Sequence, residues 1–153
     1  MAIGITIEEV MTTTVLCAEP GVKIIDCAKL MAEKKVGSIV ICTEKDQVIG
    51  ILTEQDLVRK VMALNIDPNE TLVAQVVPKK IITITPERDL YEALVLMQKN
   101  KIKHLPVVNE DGGLEGIISF KDIIRVEPGL MEISDFKEKL THEQQHTVFP
   151  SEF

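Results

Sequence analysis

Residues 10–60 of this 153-residue chain, moved forward by 66 positions, fall on residues 76–126 without a gap. Pro20 lands on Pro86, Leu30-Met31 on Leu96-Met97, Gly50-Ile51 on Gly116-Ile117, Asp56 on Asp122 and Arg59 on Arg125. Thr53 meets Ser119, which keeps the hydroxyl. One small unit written twice constrains the fold, because a single copy of such a unit does not bury its apolar face alone. The copies must pack on one another, and they create two equivalent clefts about a pseudo-two-fold axis.

Each copy reads strand, helix, strand, strand, helix, an α+β unit of β-α-β-β-α order. A short apolar run leads to a proline, Val15-Leu16 before Pro20 and Ile81 to Ile84 before Pro86. The residue before a proline is pushed to extended geometry, which suits a strand end. Ile24, Cys27, Ala28 and Met31 then share one helix face, as do Leu90, Ala93, Leu94 and Met97, the i, i+3, i+4, i+7 stripe of an amphipathic helix. Two short strands follow in each copy, Ser38–Cys42 with Val48–Leu52 and His104–Val108 with Leu114–Ile118. Their polar turns, Glu44–Gln47 and Asn109–Gly113, are short enough to join antiparallel neighbours. A second helix carries Leu57, Val58, Val61 and Met62 in copy one and Ile123 and Ile124 in copy two, where Pro128-Gly129 stops it. Ile7–Met11 and Val73–Val77 are helical lead-ins. The expected division is repeat one at 7–62, a linker at 63–72, repeat two at 73–127 and an acidic, partly helical tail at 128–153, with Ser134 as a helix cap and a frayed end from Thr147.

The net charge of −7 argues against a general nucleic-acid or anionic-membrane surface. From Glu127 to Phe153 there are six acids and two bases, so the repeats lie nearer neutrality and leave room for a basic pocket. With one Tyr, four Phe and no Trp there is no aromatic platform for single-stranded nucleic acid. No apolar stretch approaches the ~20 residues of a membrane span, and MAIGITIEEV has no signal-peptide pattern, so a cytoplasmic chain is expected. Cys17, Cys27 and Cys42 have Thr83, Ala93 and Val108 as counterparts, which reads as small half-buried residues and not as a disulfide or metal set.

The chemistry concentrates where the closing strand of each copy meets its helix. Gly50-Ile51-Leu52-Thr53-Glu54-Gln55-Asp56 and Gly116-Ile117-Ile118-Ser119-Phe120-Lys121-Asp122 share the pattern Gly, two apolar residues, a hydroxyl, two variable residues and Asp. Free N–H groups at a helix start favour anions. A carboxylate there can accept hydrogen bonds from both hydroxyls of a ribose, and glycine lets a flat ring approach the strand. The same residues also spell a capping box, with the hydroxyl at the N-cap and the carboxylate three residues on. Arg59 and Arg125, one turn after each Asp, are placed to pair with it on the helix surface.

The tandem spacing, the Leu105-Pro106-Val107-Val108 strand and the two Gly-to-Asp segments together resemble a pair of CBS domains, the repeat named after cystathionine beta-synthase, over about residues 7–127. That resemblance implies a pseudo-symmetric module whose clefts bind adenosine ligands: AMP, ADP, ATP, S-adenosylmethionine or NAD. It implies that Thr53 and Asp56 hold the ribose in one cleft and Ser119 and Asp122 in the other. Adenine would lie against Ile82, Ile102 and Lys103 in copy two, and against Leu16, Val36 and Gly37 in copy one. Lys103-His104 would face phosphate, with Lys121 adding a contact. Copy one has Gly37-Ser38 at the basic positions and Val40 in place of the proline, so unequal sites are expected, the better one at Ser119 and Asp122.

The resemblance further implies no catalysis, a homodimer packed through its helices, and an effector protein that reads the ligand state. Two other readings stand beside it. In one, the module is a ligand-free scaffold and both Asp residues only cap helices. In the other, His142-Glu143-Gln144-Gln145-His146 is a metal-dependent hydrolase element. That match lacks a third ligand and a following cleft, and His104 is the only other histidine, so no metal site is expected.

Overall fold

A computed structural model describes residues 2–132 and 150–151. The cap expected at Ser134, the His142 and His146 pair and most of the expected frayed end lie outside the described residues. The first copy comprises α1 (Ile7–Val10), β1 (Cys17–Ala18), α2 (Ile24–Lys34), β2 (Ser38–Cys42), β3 (Val48–Thr53) and α3 (Glu54–Asp56). The second comprises α4 (Leu90–Asn100), β4 (His104–Val108), β5 (Leu114–Ser119) and α5 (Phe120–Val126). β2 pairs antiparallel with β3, and β4 with β5, with a register shift at Ile41/Cys42 in one hairpin and at Val107/Val108 in the other. The expected hairpins are therefore present at equivalent positions, down to the bulge.

The pseudo-two-fold axis can be read from the hydrogen bonds. Gln47 bridges Gly113, its own counterpart. Val48 N–H donates to Gly112 O at 3.1 Å and Leu114 N–H to Asp46 O at 3.0 Å, a pair of bonds exchanged by the repeat offset. Asp46 (φ 59°) and Gly112 (φ 83°) both take the left-handed turn this requires. Both long helices also end alike, on Lys35 and Lys101 at φ 55°, and the following N–H groups of Val36 and Ile102 return to Met31 O and Met97 O at 3.1 and 3.0 Å. These wrap-back bonds satisfy carbonyls the helix end would otherwise orphan.

Two local expectations need correction. The first concerns the opening strands. β1 starts at Cys17, with Leu16 O accepting from Val40 N–H at 2.9 Å, and it pairs parallel to β2. In copy two the run Ile81–Ile84 contributes only a single parallel bridge, Ile84 to Val107. The counterpart of Val40 is Pro106, which has no N–H to offer Ile82 O, so the parallel ladder cannot start there. The second concerns the helix after Asp56. It widens into a π-helical segment, Leu57–Met62, in which Ala63 N–H reaches back five residues to Val58 O at 2.8 Å. Val58 and Met62 are left 62% and 79% exposed rather than packed, whereas α5 in copy two is α-helical.

The lead-ins exchange partners, a feature the sequence reading did not address. Ile7, fully buried, joins the core of the second copy with Leu90, Leu94, Met97 and Ile118. Val73, in the 3-10 turn Val73–Gln75, joins the core of the first with Met31, Ile39, Ile41 and Leu52. Ile7 N–H donates to Arg88 O at 2.9 Å and Val73 N–H to Val22 O at 2.8 Å, again at equivalent positions. Burying a side chain of this size is worth about 1.5–3 kcal/mol, so each copy depends on the other for part of its core. The exchange also accounts for the glycines. A Cβ on Gly116 would lie 2.8 Å from Met11 Sδ and from Thr12 O, and one on Gly50 3.0 Å from Val77 Cγ2. Gly50 and Gly116 admit the opposite lead-in.

Candidate functional site

The strand-to-helix junctions form complete capping boxes. Thr53 Oγ1 accepts from Asp56 N–H at 3.2 Å, and Asp56 Oδ2 accepts from Thr53 N–H at 2.9 Å. Ser119 Oγ and Asp122 Oδ2 repeat the pattern at 3.2 and 2.9 Å. The local sequence forces this, because a hydroxyl and a carboxylate three residues apart satisfy each other's backbone donors at a helix start. Each carboxylate thus spends one oxygen on the fold. The other oxygen differs between copies. Asp56 Oδ1 pairs with Lys60 Nζ at 3.2 Å, so Lys60 takes the place expected of Arg59. The counterpart of Lys60 is Val126, and among the described residues neither Arg125 nor any other cation pairs with Asp122.

The remaining expected site residues gather around these junctions. In copy one, Glu54 N–H donates to Gly37 O at 3.0 Å, and Ser38 lies opposite Thr53. Leu16 is half-buried, Val36 is exposed, and both adjoin the β1–β2 edge. In copy two, Phe120 N–H donates to Lys103 O at 2.8 Å and His104 lies opposite Ser119. Ile82 and Ile102 are half-buried, while Lys103 and Lys121 are exposed. Glu54 was not apparent as a site residue. Its carboxylate comes within 3.5 Å of where a Gly37 Cβ would stand, which makes the first junction acidic where the second has Phe120. Lys60 was legible only as the i+4 partner of Asp56.

His104 joins the two junctions electrostatically. Burial pushes its imidazole below the ordinary 6.5, against the pull of Asp122 from its own copy and of Glu54 and Asp56 from the other, with Lys103 adding to the depression. The unfolded chain therefore takes up a proton at this group before the folded one does. Stability contributed by the neutral ring is intact above about pH 6.5 and falls as the pH drops below it. The melting temperature of the wild type should decline more between pH 7 and pH 5.5 than that of His104→Gln. Parallel profiles would show that His104 is not the titrating group.

Among the described residues, no group of three or more His, Cys, Asp or Glu side chains is placed to hold a metal ion. None of the described helices is long and apolar enough to cross a membrane. A groove of 620 Å³ lies elsewhere, between α2 and the π-helical segment, lined by Ile24, Ile25, Ala28, Leu57, Val61 and Met62 among others.

Fold and junctions together define a pseudo-symmetric pair of α+β repeats, each carrying a hydroxyl–carboxylate cap at the same strand-to-helix turn. The family model for the CBS domain matches residues 7–63 and 73–129, and the chain belongs to that family. An uncharacterized protein of Methanopyrus kandleri is 36% identical over 142 residues, covering 90% of this chain and 72% of that protein. The crystal structure of hypoxic response protein I, with two coordinated zinc ions, is 28% identical and superposes with a TM-score of 0.71 over 79% of this chain and 98% of that one. A CBS domain pair in complex with 5′-methylthioadenosine and S-adenosyl-L-methionine superposes with a TM-score of 0.74 over 82% of this chain and 98% of that one. At 21% identity, that last likeness shows the fold alone.

Proposed function

We propose that this chain is a non-catalytic regulatory module that binds an adenosine-containing ligand, of the AMP, ADP or ATP class, and signals to an effector protein through its conformation or oligomeric state. The observation that carries the reading is the state of Asp122. Its helix cap is complete with one carboxylate oxygen, and among the described residues the other has no partner. That oxygen can accept from ribose hydroxyls without dismantling the fold. Lys103, His104 and Lys121 lie beside the same junction and suit phosphate. The first junction is poorer, since Lys60 already occupies Asp56 and Glu54 adds negative charge. The adenosine compounds bound by a CBS pair of the same fold support the ligand class. Val58, Met62 and Leu64, exposed at 62%, 79% and 64%, support self-association through the helices into a homodimer.

The test is thermal melting of the pure protein with AMP, ADP, ATP, NAD and S-adenosylmethionine in turn. A ligand at about 100 times its dissociation constant adds about 2.7 kcal/mol. At this size that raises the melting temperature by roughly 5–10 °C. A flat panel would favour the second reading, in which both Asp residues serve only as caps of a scaffold, as the two complete boxes already allow. Sedimentation of the same samples should show a dimer; a monomer at micromolar concentration would remove that part of the proposal.

A further inference from the structure

The parallel pairing of β1 with β2 sets Cys17 opposite Val40. Cys42 lies two residues further along β2, and alternate strand residues point to one face of a sheet. The opposite face carries Ala18, Ile39 and Ile41 into the core of the first copy together with Cys27. Cys17 and Cys42 therefore stand apart from that core on the other face, as diagonal neighbours across β1 and β2, with the Cys17 thiol turned to Val15 O at 3.6 Å. Cys17 is exposed on the edge strand and Cys42 is 4% exposed beneath it. The second copy has Thr83 and Val108 at these positions, so the pair belongs to the first copy alone.

We propose that Cys17 and Cys42 form a dithiol that closes to an intramolecular disulfide by exchange with a small-molecule disulfide. The exposed Cys17 thiolate attacks one sulfur of the reagent; a Cys17–reagent bond forms and one reagent thiolate leaves. The Cys42 thiolate then attacks the Cys17 sulfur, the Cys17–Cys42 bond forms, and the second reagent thiolate leaves. The two cysteines lose two protons and two electrons, and the reagent disulfide is reduced to two thiols. Burial, with the carboxylate of Asp46 nearby, raises both thiols above their ordinary value, and Cys42 reaches about 12. Thiolate is scarce near neutrality, so the exchange should quicken by about tenfold per pH unit from pH 7 to pH 8. Cys17 adjoins Leu16, whose carbonyl anchors β1 to Val40, so the bond would pin this short edge strand to its neighbour.

The full chain is incubated with oxidised glutathione at pH 8, blocked with iodoacetamide under denaturing conditions, and followed by intact mass and peptide mapping. The expected product has lost two hydrogens, carries one blocked thiol at Cys27 and yields a linked Cys17–Cys42 peptide. Cys42→Ser should stop at a mixed disulfide on Cys17, and Cys17→Ser should not react. The proposal is overturned if the wild type also stops at the mixed disulfide, links two chains through Cys17, or leaves all three thiols free for blocking. None of these readouts involves a nucleotide, so the outcome is independent of the ligand-binding proposal.

Discussion

Asp122→Asn is expected to leave the unliganded protein near its native stability while removing half or more of the ligand-induced rise in melting temperature. The amide oxygen of Asn can still accept from Ser119 N–H, so the cap that Asp122 Oδ2 makes at 2.9 Å survives. What disappears is the negative charge. The ribose-facing atom also becomes an NH2 donor that cannot accept from a hydroxyl, and losing the charge-assisted hydrogen bonds there costs ~1.5–3 kcal/mol, or roughly a 10–100-fold loss of affinity. Asp122→Ala should lose nearly the whole ligand response and in addition about 1 kcal/mol of apo stability from the broken cap. The two variants separate the roles that one carboxylate combines. If both respond to ligand as the wild type does, Asp122 is only a cap and the ribose assignment fails.

Gly116→Ala should cost about 2–3 kcal/mol, seen as a melting temperature lower by roughly 5–12 °C and a matching fall in urea midpoint. The new methyl would meet Met11 Sδ and Thr12 O at 2.8 Å. Thr12 cannot step back, because its N–H donates to Ile117 O and its carbonyl accepts from Ile117 N–H, both at 2.9 Å. Gly50→Ala meets the Val77 side chain first, at 3.0 Å for the nearest atom, and the counterpart of Thr12 there is Pro78, which has no N–H to lock a bridge. Gly50→Ala should therefore be the milder of the two. Equal losses would mean that the lead-ins are held equally on both copies, contrary to this argument.

Much of the candidate site was legible because its parts are short-range. A hydroxyl three residues before an Asp at the end of an apolar strand closes a capping box wherever it occurs, and it does so at Thr53 and Ser119 alike. The inequality of the two junctions was partly legible from Gly37-Ser38 against Lys103-His104. The sharper cause is Lys60 seated on Asp56, together with Glu54 turned toward Gly37, and it required the structure. The missing strand in copy two was in principle readable from Pro106, since a proline cannot donate the bond that Val40 gives to Leu16.

What the sequence determined by itself is the symmetry and what near neighbours set: two α+β copies, their hairpins and their caps. Only tertiary structure decided which copy each lead-in completes, why Gly50 and Gly116 carry no side chain, and that Cys17 and Cys42 share one face of a sheet. The reason is physical. In a tandem repeat, Ile7 and Val73 are chemically suited to either core, so hydrophobic pattern cannot choose between them. Chain connection and close packing make the choice, and contacts between residues far apart in the chain follow from it.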